Sequence, residues 1–503
     1  MTELADVPVL TTLLPGFAGT SLPEWLAARL RAGLGGVCLF APNVVSASQL
    51  RALTDAIYAA NPRALIAVDE EGGDVTRLFH DVGSPSPGNA VLGRIDDLRV
   101  TRDNAAQIGW ALRRIGCNVN FAPTVDINSN PDNPVIGTRS FGVDAERVAA
   151  HSAAWTTGLQ ATGVAASAKH FPGHGDTAQD SHLSLPVIDR SLEDLRSREL
   201  RPFATAIAAG TRLVMTSHIL LPQLDAESPA TMSHDILIGL LRAELGFSGV
   251  IVSDALDMAG ASAERGVPDA AVRALRAGCD LLCLGTDNTD DELDEIAQAV
   301  QVAVAAGSLA AERVSEAADR VRALADDLAA TRPPYPQGRV GHAWPGRMPQ
   351  LVAAIDVQPA ARAWRARTSG RFSVVRLEAR PNSAVGPTAW GPFAEVARDP
   401  TSAINAAFAA HPQYVVTTDG PMPSGLSPDE SVLVVGRDIH RHPFARAAVD
   451  QLRQRPGHVL VVDMGWPSDD RRYADVATFG SSTAMGHALL AVLAAEADRD
   501  QPV

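Results

Sequence analysis

The chain has 503 residues, more than one hydrophobic core usually organises, so two domains or one large barrel with an appendix are expected. With 46% hydrophobic and 20% charged residues it has an ordinary globular composition, and no apolar run reaches the length of a membrane span. A formal net charge of −15 argues against nucleic acid or a membrane surface as partner, since both reward clustered Lys and Arg, and points to a small molecule.

The N-terminal stretch "MTELADVPVLTTLLPGF" has no basic leader, sustained apolar core or small-residue cleavage site, so a cytoplasmic location is the expectation. From there to about residue 330, short apolar runs alternate with stretches of helical period, the pattern of successive β-α units. The strand candidates in chain order are "VLTTLLPGF", "GVCLFAPN", "ALIAVDEE", "CNVNFAPTVD", "VAASAKHF", "RLVMTSHI", "GVIVSDAL" and "DLLCLGTD". Between them lie amphipathic segments such as "ASQLRALTDAIYAA", "EDLRSRELRPFATAIAAG" and "DILIGLLRAELG". Eight such units predict a (β/α)8 barrel, in which polar residues should gather just beyond each apolar run. They do: Asp69 and Glu70 follow the third run, Asp126 the fourth, Lys169 and His170 the fifth, His218 the sixth, Asp254 the seventh and Asp287 the eighth. A doubly wound open sheet would concentrate them at one switch point instead.

The Pro-rich "RPPYPQG" cannot continue a helix and reads as a linker over 331–345. It separates a barrel domain, 1–330, from a second domain, 346–503. The runs "RFSVVRLE", "QYVVTTDG", "SVLVVGRD", "HVLVVDMG" and "ADVATFG", with two helical stretches, predict a smaller α/β sandwich there. Cys38, Cys117, Cys279 and Cys283 read as buried free thiols, with no partner spacing for a zinc site.

The densest chemistry is in "SAKHFPGHGDTAQDSHLSLP", residues 167–186. His170 and His174 have the four-residue spacing of a helical metal pair, but Pro172 and Gly173 break the helix and no Glu completes the motif. No metal and no other cofactor is expected. A Ser-His-Asp hydrolase would need a nucleophile elbow, which is absent. In "DSH", Asp180 can hold one ring nitrogen of His182 and make the other a general acid/base; the plainer alternative is a loop histidine capping a turn. Asp254 in "VIVSDALDM" can act as a carboxylate nucleophile, or as a helix cap or binding group.

Together, "VDEEGGDVTRL", "NPVIGTRSFG", "KHFPGHGDTAQDSH", "MTSHI" and "VSDALDMAG" resemble the motif blocks of glycoside hydrolase family 3, in its β-N-acetylglucosaminidase (β-N-acetylhexosaminidase) subgroup. The resemblance runs from about residue 10 to 330. It implies that Asp254 is the nucleophile of a covalent glycosyl-enzyme intermediate. It also implies that His182, paired with Asp180, first protonates the leaving oxygen and then activates water, with retention of configuration. A His near its ordinary pKa of ~6.5 suits that task without the burial that a Glu would need. Asp69, Arg139, Lys169 and His170 would hold the sugar hydroxyls in the −1 subsite, with Arg77 close by and Met215 and His218 lining the pocket. For Arg77 and Glu71 the alternative is a loop brace, and His174 is read as orienting the loop.

Two positions depart from the family pattern: Glu70 stands where Gln is common, and Ala255 where a second Asp is common. Neither is a catalytic group, so they bear on substrate preference. The implied activity is exo-acting removal of terminal β-linked GlcNAc from cell-wall muropeptides or chitooligosaccharides, as in peptidoglycan recycling. The alternatives are a β-N-acetylglucosaminide phosphorylase, favoured by a neutral base that does not repel phosphate, and a non-catalytic sugar-binding barrel. The loop Pro172–Ser184 is Gly-rich, and His182 is expected to reach the sugar only when it closes. No oligomeric state is implied. The second domain, absent from the shortest relatives, either supports the barrel or shapes the leaving-group side.

Overall fold

The computed structural model describes residues 7–181, 184–263, 265–336, 344–361, 364, 372–382, 384–396 and 411–495. His182 lies outside them, as do residues 337–343 of the expected linker. The described chain divides into two compact units. One holds residues up to Glu70, Asp97–Ile136 and Gly142–Gly341; the other holds Glu71–Asp96, Gly137–Phe141 and His342 onward.

In the first unit every predicted apolar run contributes a strand: β1 (Leu13–Leu14), β2 (Gly36–Leu39), β3 (Leu65–Val68), β4 (Val119–Asn120), β5 (Ala165–Phe171), β6 (Leu213–Thr216), β7 (Val250–Val252) and β8 (Leu282–Cys283). Strands β2 to β7 pair in sequence order, and β1 pairs with β8, every pairing being parallel. The ring closes where Val252 bridges Leu281 in parallel and where the Cys38 N–H donates to the Pro15 carbonyl at 2.9 Å. This is a (β/α)8 barrel. Its interior takes alternate residues of each strand, Leu65 and Ala67, Val119 and Phe121, Leu213 and Met215, Val250 and Val252, as the two-residue period of a strand requires. The helix Ala311–Ala330 adds Val321, Leu324 and Leu328 to the same core.

The helical stretches form largely where their period places them, and Ser46, Asp144 and Thr289 cap three of them with side-chain acceptors. The stretch 193–210 splits into Leu192–Ser197 and Leu200–Ala208. Pro202 has no N–H to offer the carbonyl of Arg198, so one continuous helix would lose that bond.

The second unit is an α/β sandwich on a six-stranded sheet. Its strands are β9 (Asp356–Val357), β10 (Ser373–Glu378), β11 (Gln413–Thr417), β12 (Val432–Gly436), β13 (Val459–Asp463) and β14 (Val476–Ala477). They lie in the order β11-β10-β12-β13-β14-β9, with only β9 antiparallel to its neighbour. The helix Pro443–Arg453 packs Ala445, Ala448, Val449 and Leu452 onto the sheet. The five apolar runs account for β10 to β14; β9 is too short to announce itself by alternation. A single cut near residue 330 does not describe the division. The excursion Glu71–Asp96, which begins just after β3, finds hydrogen-bond partners in the second unit: Thr483 N–H donates to the Ser84 carbonyl, Ala389 N–H to that of His80, and Arg94 Nε to that of Ala354.

Candidate active site

The carboxyl ends of the barrel strands carry the polar groups, and those after β3, β4 and β5 are tied to one another. Lys169, on β5, is 3% exposed in its side chain and places Nζ 2.7 Å from Asp69 Oδ1, beyond the end of β3. A buried ammonium is stable only with such a partner. The backbone that carries Asp69 is held in turn: Asn120, in β4 and fully buried, donates Nδ2 to the Glu70 carbonyl at 2.9 Å and accepts from the Glu70 N–H at 3.0 Å. That amide pair extends the β3–β4 ladder by one side chain.

Asp126 is the second organising group. Its Oδ2 accepts from His170 Nδ1 at 2.7 Å, and its Oδ1 accepts from the His174 N–H at 2.6 Å; the His170 N–H also faces both oxygens. Burial alone would raise this carboxyl, but the fields and hydrogen bonds of His170 and His174 outweigh it and hold Asp126 below the ordinary carboxylate range. The Nδ1 contact with Asp126 fixes the plane of the His170 ring.

His174 is buried. Its Nε2 lies 3.0 Å from Ser181 Oγ and its Nδ1 2.9 Å from Thr177 Oγ1. Burial, followed by the field of His170, lowers its pKa to about 4, against the opposing pull of Asp126 and Asp254. The ring is therefore neutral at physiological pH and stands between two hydroxyls of one loop. Asn133 Nδ2 donates to the carbonyls of His174 and Gly175, at 2.8 and 3.0 Å. The loop is further pinned where the Gly260 N–H donates to the Ser181 carbonyl at 3.2 Å. Asp180, half-buried, accepts the Ser184 N–H on its backbone carbonyl.

Asp254 follows β7, half-buried, with Oδ1 accepting the Ala255 N–H at 2.8 Å. His218 is wholly buried and its Nε2 lies 3.0 Å from the Ala255 carbonyl; since a carbonyl only accepts, the proton sits on Nε2. His218 thus supports the turn that presents Asp254. Met215 is 3% exposed and belongs to the barrel core.

Arg139 and Arg77 belong to the second unit. Arg139 makes a fork on Glu71, Nε to Oε2 at 3.0 Å and Nη2 to Oε1 at 2.7 Å, with side chains 5% and 2% exposed. Arg77 donates to the carbonyls of Val385 and Ala384, at 3.0 and 2.8 Å, which is the geometry of a brace. Asp126, Asn120 and Ser181 are the supporting residues that no motif assigned; the legible signal was a polar side chain inside an apolar run, as in "CNVNFAPTVD".

All four cysteines are free and buried; burial pushes the Cys117 thiol up to about 12 and also raises Cys279, so neither is a nucleophile. Among the described residues, no group of three or more His, Cys, Asp or Glu side chains is placed to hold a metal ion, and no helix is long and apolar enough to cross a membrane.

A strand-end carboxylate, a buried ammonium–carboxylate pair and an oriented imidazole suit recognition of a polyol and attack at an electrophilic carbon. Residues 21–324 match the family described as Glycosyl hydrolase family 3 N terminal domain. Among curated relatives, Beta-hexosaminidase A of Pseudoalteromonas piscicida is 42% identical over 287 residues, 52% of this chain and 48% of that protein. The chain therefore matches about half the length of that relative. Beta-hexosaminidase of Stenotrophomonas maltophilia is 39% identical over 291 residues, 56% of this chain and 85% of that protein. Among solved structures, a glycoside hydrolase family 3 beta-N-acetylglucosaminidase from Paenibacillus sp. superposes with a TM-score of 0.83 at 29% identity, covering 99% of this chain and 97% of that one.

Proposed function

Because the chain belongs to glycosyl hydrolase family 3, we propose that it is an exo-acting, retaining β-N-acetylglucosaminidase that removes terminal β-linked GlcNAc from muropeptide or chitooligosaccharide fragments. The observation that carries this reading is the strand-end set of Asp254, the Lys169–Asp69 pair and the Asp126-held His170. The names of the relatives and the full-length likeness of the Paenibacillus structure support it.

In this reading the Asp254 carboxylate attacks the anomeric carbon while His182 gives its proton to the glycosidic oxygen, which departs with the aglycone as an alcohol. Water, deprotonated by His182, then attacks the same carbon and releases Asp254, so two inversions give retention. Asp180 holds the imidazole in the tautomer that can accept and return the proton. Asp69 and Lys169 bind the hydroxyls as a preformed pair whose geometry needs no rearrangement, and His170 is oriented by Asp126.

Release of 4-nitrophenol from its β-GlcNAc glycoside tests the assignment. Asp254→Asn should lower kcat by ~10³-fold or more, the scale on which loss of a covalent nucleophile is felt. A variant within tenfold of the wild type would overturn it. Run in saturating phosphate, the wild-type reaction should give free GlcNAc; GlcNAc-1-phosphate as main product would make the chain a phosphorylase.

A further inference from the structure

Asp74 lies three residues beyond Glu71, the residue that holds Arg139, and it ties together three separate stretches of the second unit. Its Oδ2 accepts the hydroxyl of Thr138 at 2.8 Å, the residue immediately before Arg139. Its Oδ1 accepts both the N–H and the Oγ–H of Ser481, at 2.9 and 2.6 Å, from a position 407 residues away in sequence. Ser481 is buried, in the segment between β14 and the helix Thr483–Ala495, and its own carbonyl accepts the Gly391 N–H. The turn Gly137–Arg139 is also held from the other side, where Asn89 Nδ2 donates to the Arg139 carbonyl at 2.7 Å.

We infer that Asp74 is a positioning residue for Arg139, and that through it Ser481 sets the orientation of that arginine. The inference rests on the glycosidase reading, in which Arg139 contacts substrate. Both ends of the arginine are then determined: Glu71 fixes the guanidinium by a bidentate fork, and Asp74 fixes the backbone turn from which it projects. A one-residue error in that turn would re-aim a planar fork whose value lies in its angle. Asp74 touches no reacting atom. Its contribution is to bring Ser481 to bear on the turn Gly137–Arg139, between β4 and β5 in the chain.

The test uses the full chain. Asp74→Ala should raise KM for 4-nitrophenyl β-GlcNAc by about tenfold, the scale of losing a charge-assisted hydrogen bond, with kcat changed less than threefold, as loss of uniform binding requires. Asp74→Asn should restore KM to within threefold, because its oxygen still accepts from Ser481 and its amide can donate to Thr138 Oγ1. In Arg139→Ala the further change Asp74→Ala should add nothing to KM, whereas a merely structural role would add its cost in full. The Arg139 Nε–H resonance, identified by its loss in Arg139→Ala, should shift in Asp74→Ala and in the milder Ser481→Ala. An unshifted resonance, or an unchanged KM in folded Asp74→Ala, would overturn the positioning role. If the wild type released no 4-nitrophenol, the glycosidase reading would fail on its own, and the resonance would still decide whether Asp74 positions Arg139.

Discussion

Two buried titratable side chains near the start of the His182 loop push stability in opposite directions with pH. His174, lowered to about 4, binds its proton more weakly folded than unfolded, so its contribution is complete above the unfolded value of ~6.5 and is lost as pH falls from there toward 4. Glu199 is raised to about 7 by burial, with Arg198 opposing, so its contribution is complete below the ordinary Glu range and is lost as pH rises through 7. Its Oε1 takes Ser129 Oγ and Arg198 Nε, while a Cβ on Gly173, the first glycine of the loop, would lie 3.3 Å from Oε2. Each shift corresponds to about 3 kcal/mol. Between pH 6 and 8 the wild type should therefore lose Tm, and Glu199→Gln should flatten that slope; an equal slope in the variant would remove Glu199 as its source. Asp126 gives a second prediction at this scale. Asp126→Asn puts an amide nitrogen against N–H groups and frees the His170 ring, so kcat/KM should fall by about ten- to a hundredfold, read with the same aryl glycoside.

At the scale of elements, the barrel is legible in the sequence because its signals are local. An apolar run bounded by Gly or polar residues is a buried strand wherever it ends up, and all eight runs became strands of the ring. The strand-end positions of Asp69, Lys169, His170 and Asp254 are legible for the same reason, each standing at the end of its run. What could not be read was partnership. Nothing in "CNVNFAPTVD" tells that Asp126 will hold His170, because β4 and β5 meet only in the folded sheet, and nothing in "VTRL" tells that Arg77 is used on the carbonyls of residues 384 and 385. The loop after β5 also has a steric test. A Cβ at Gly175 would stand 1.6 Å from the Ile127 carbonyl oxygen, so Gly175→Ala must displace backbone and should lower both Tm and activity. His174→Ala, which removes the bracket between Thr177 and Ser181, should instead leave the barrel intact and speed amide exchange across residues 175–181. Unchanged exchange there would show that the imidazole does not restrain the loop.

For the whole molecule, the useful unit is not the one that a linear cut defines. Residues 71–96 and 137–141 are encoded inside the barrel half yet belong to the C-terminal unit, with Ser84, Val82 and Asp74 bonded to residues 481–483. A chain stopped at residue 336 would leave those N–H and C=O partners unmade and the second unit's apolar surface absent. It should give little soluble protein, although shorter family members manage without such a unit; a soluble, fully active fragment would show that the excursions refold on their own.

That interleaving also sets an order of events on the ribosome. Asp74 emerges about 400 residues ahead of Ser481, and at ~5–20 residues per second the interval is roughly 20–80 s. During it the excursion that carries Glu71 has no surface to settle on, and closing so long a separation is itself slow. The turn that carries Arg139 therefore waits on a serine made long after it, so a nascent chain cannot fix that turn before Ser481 has emerged.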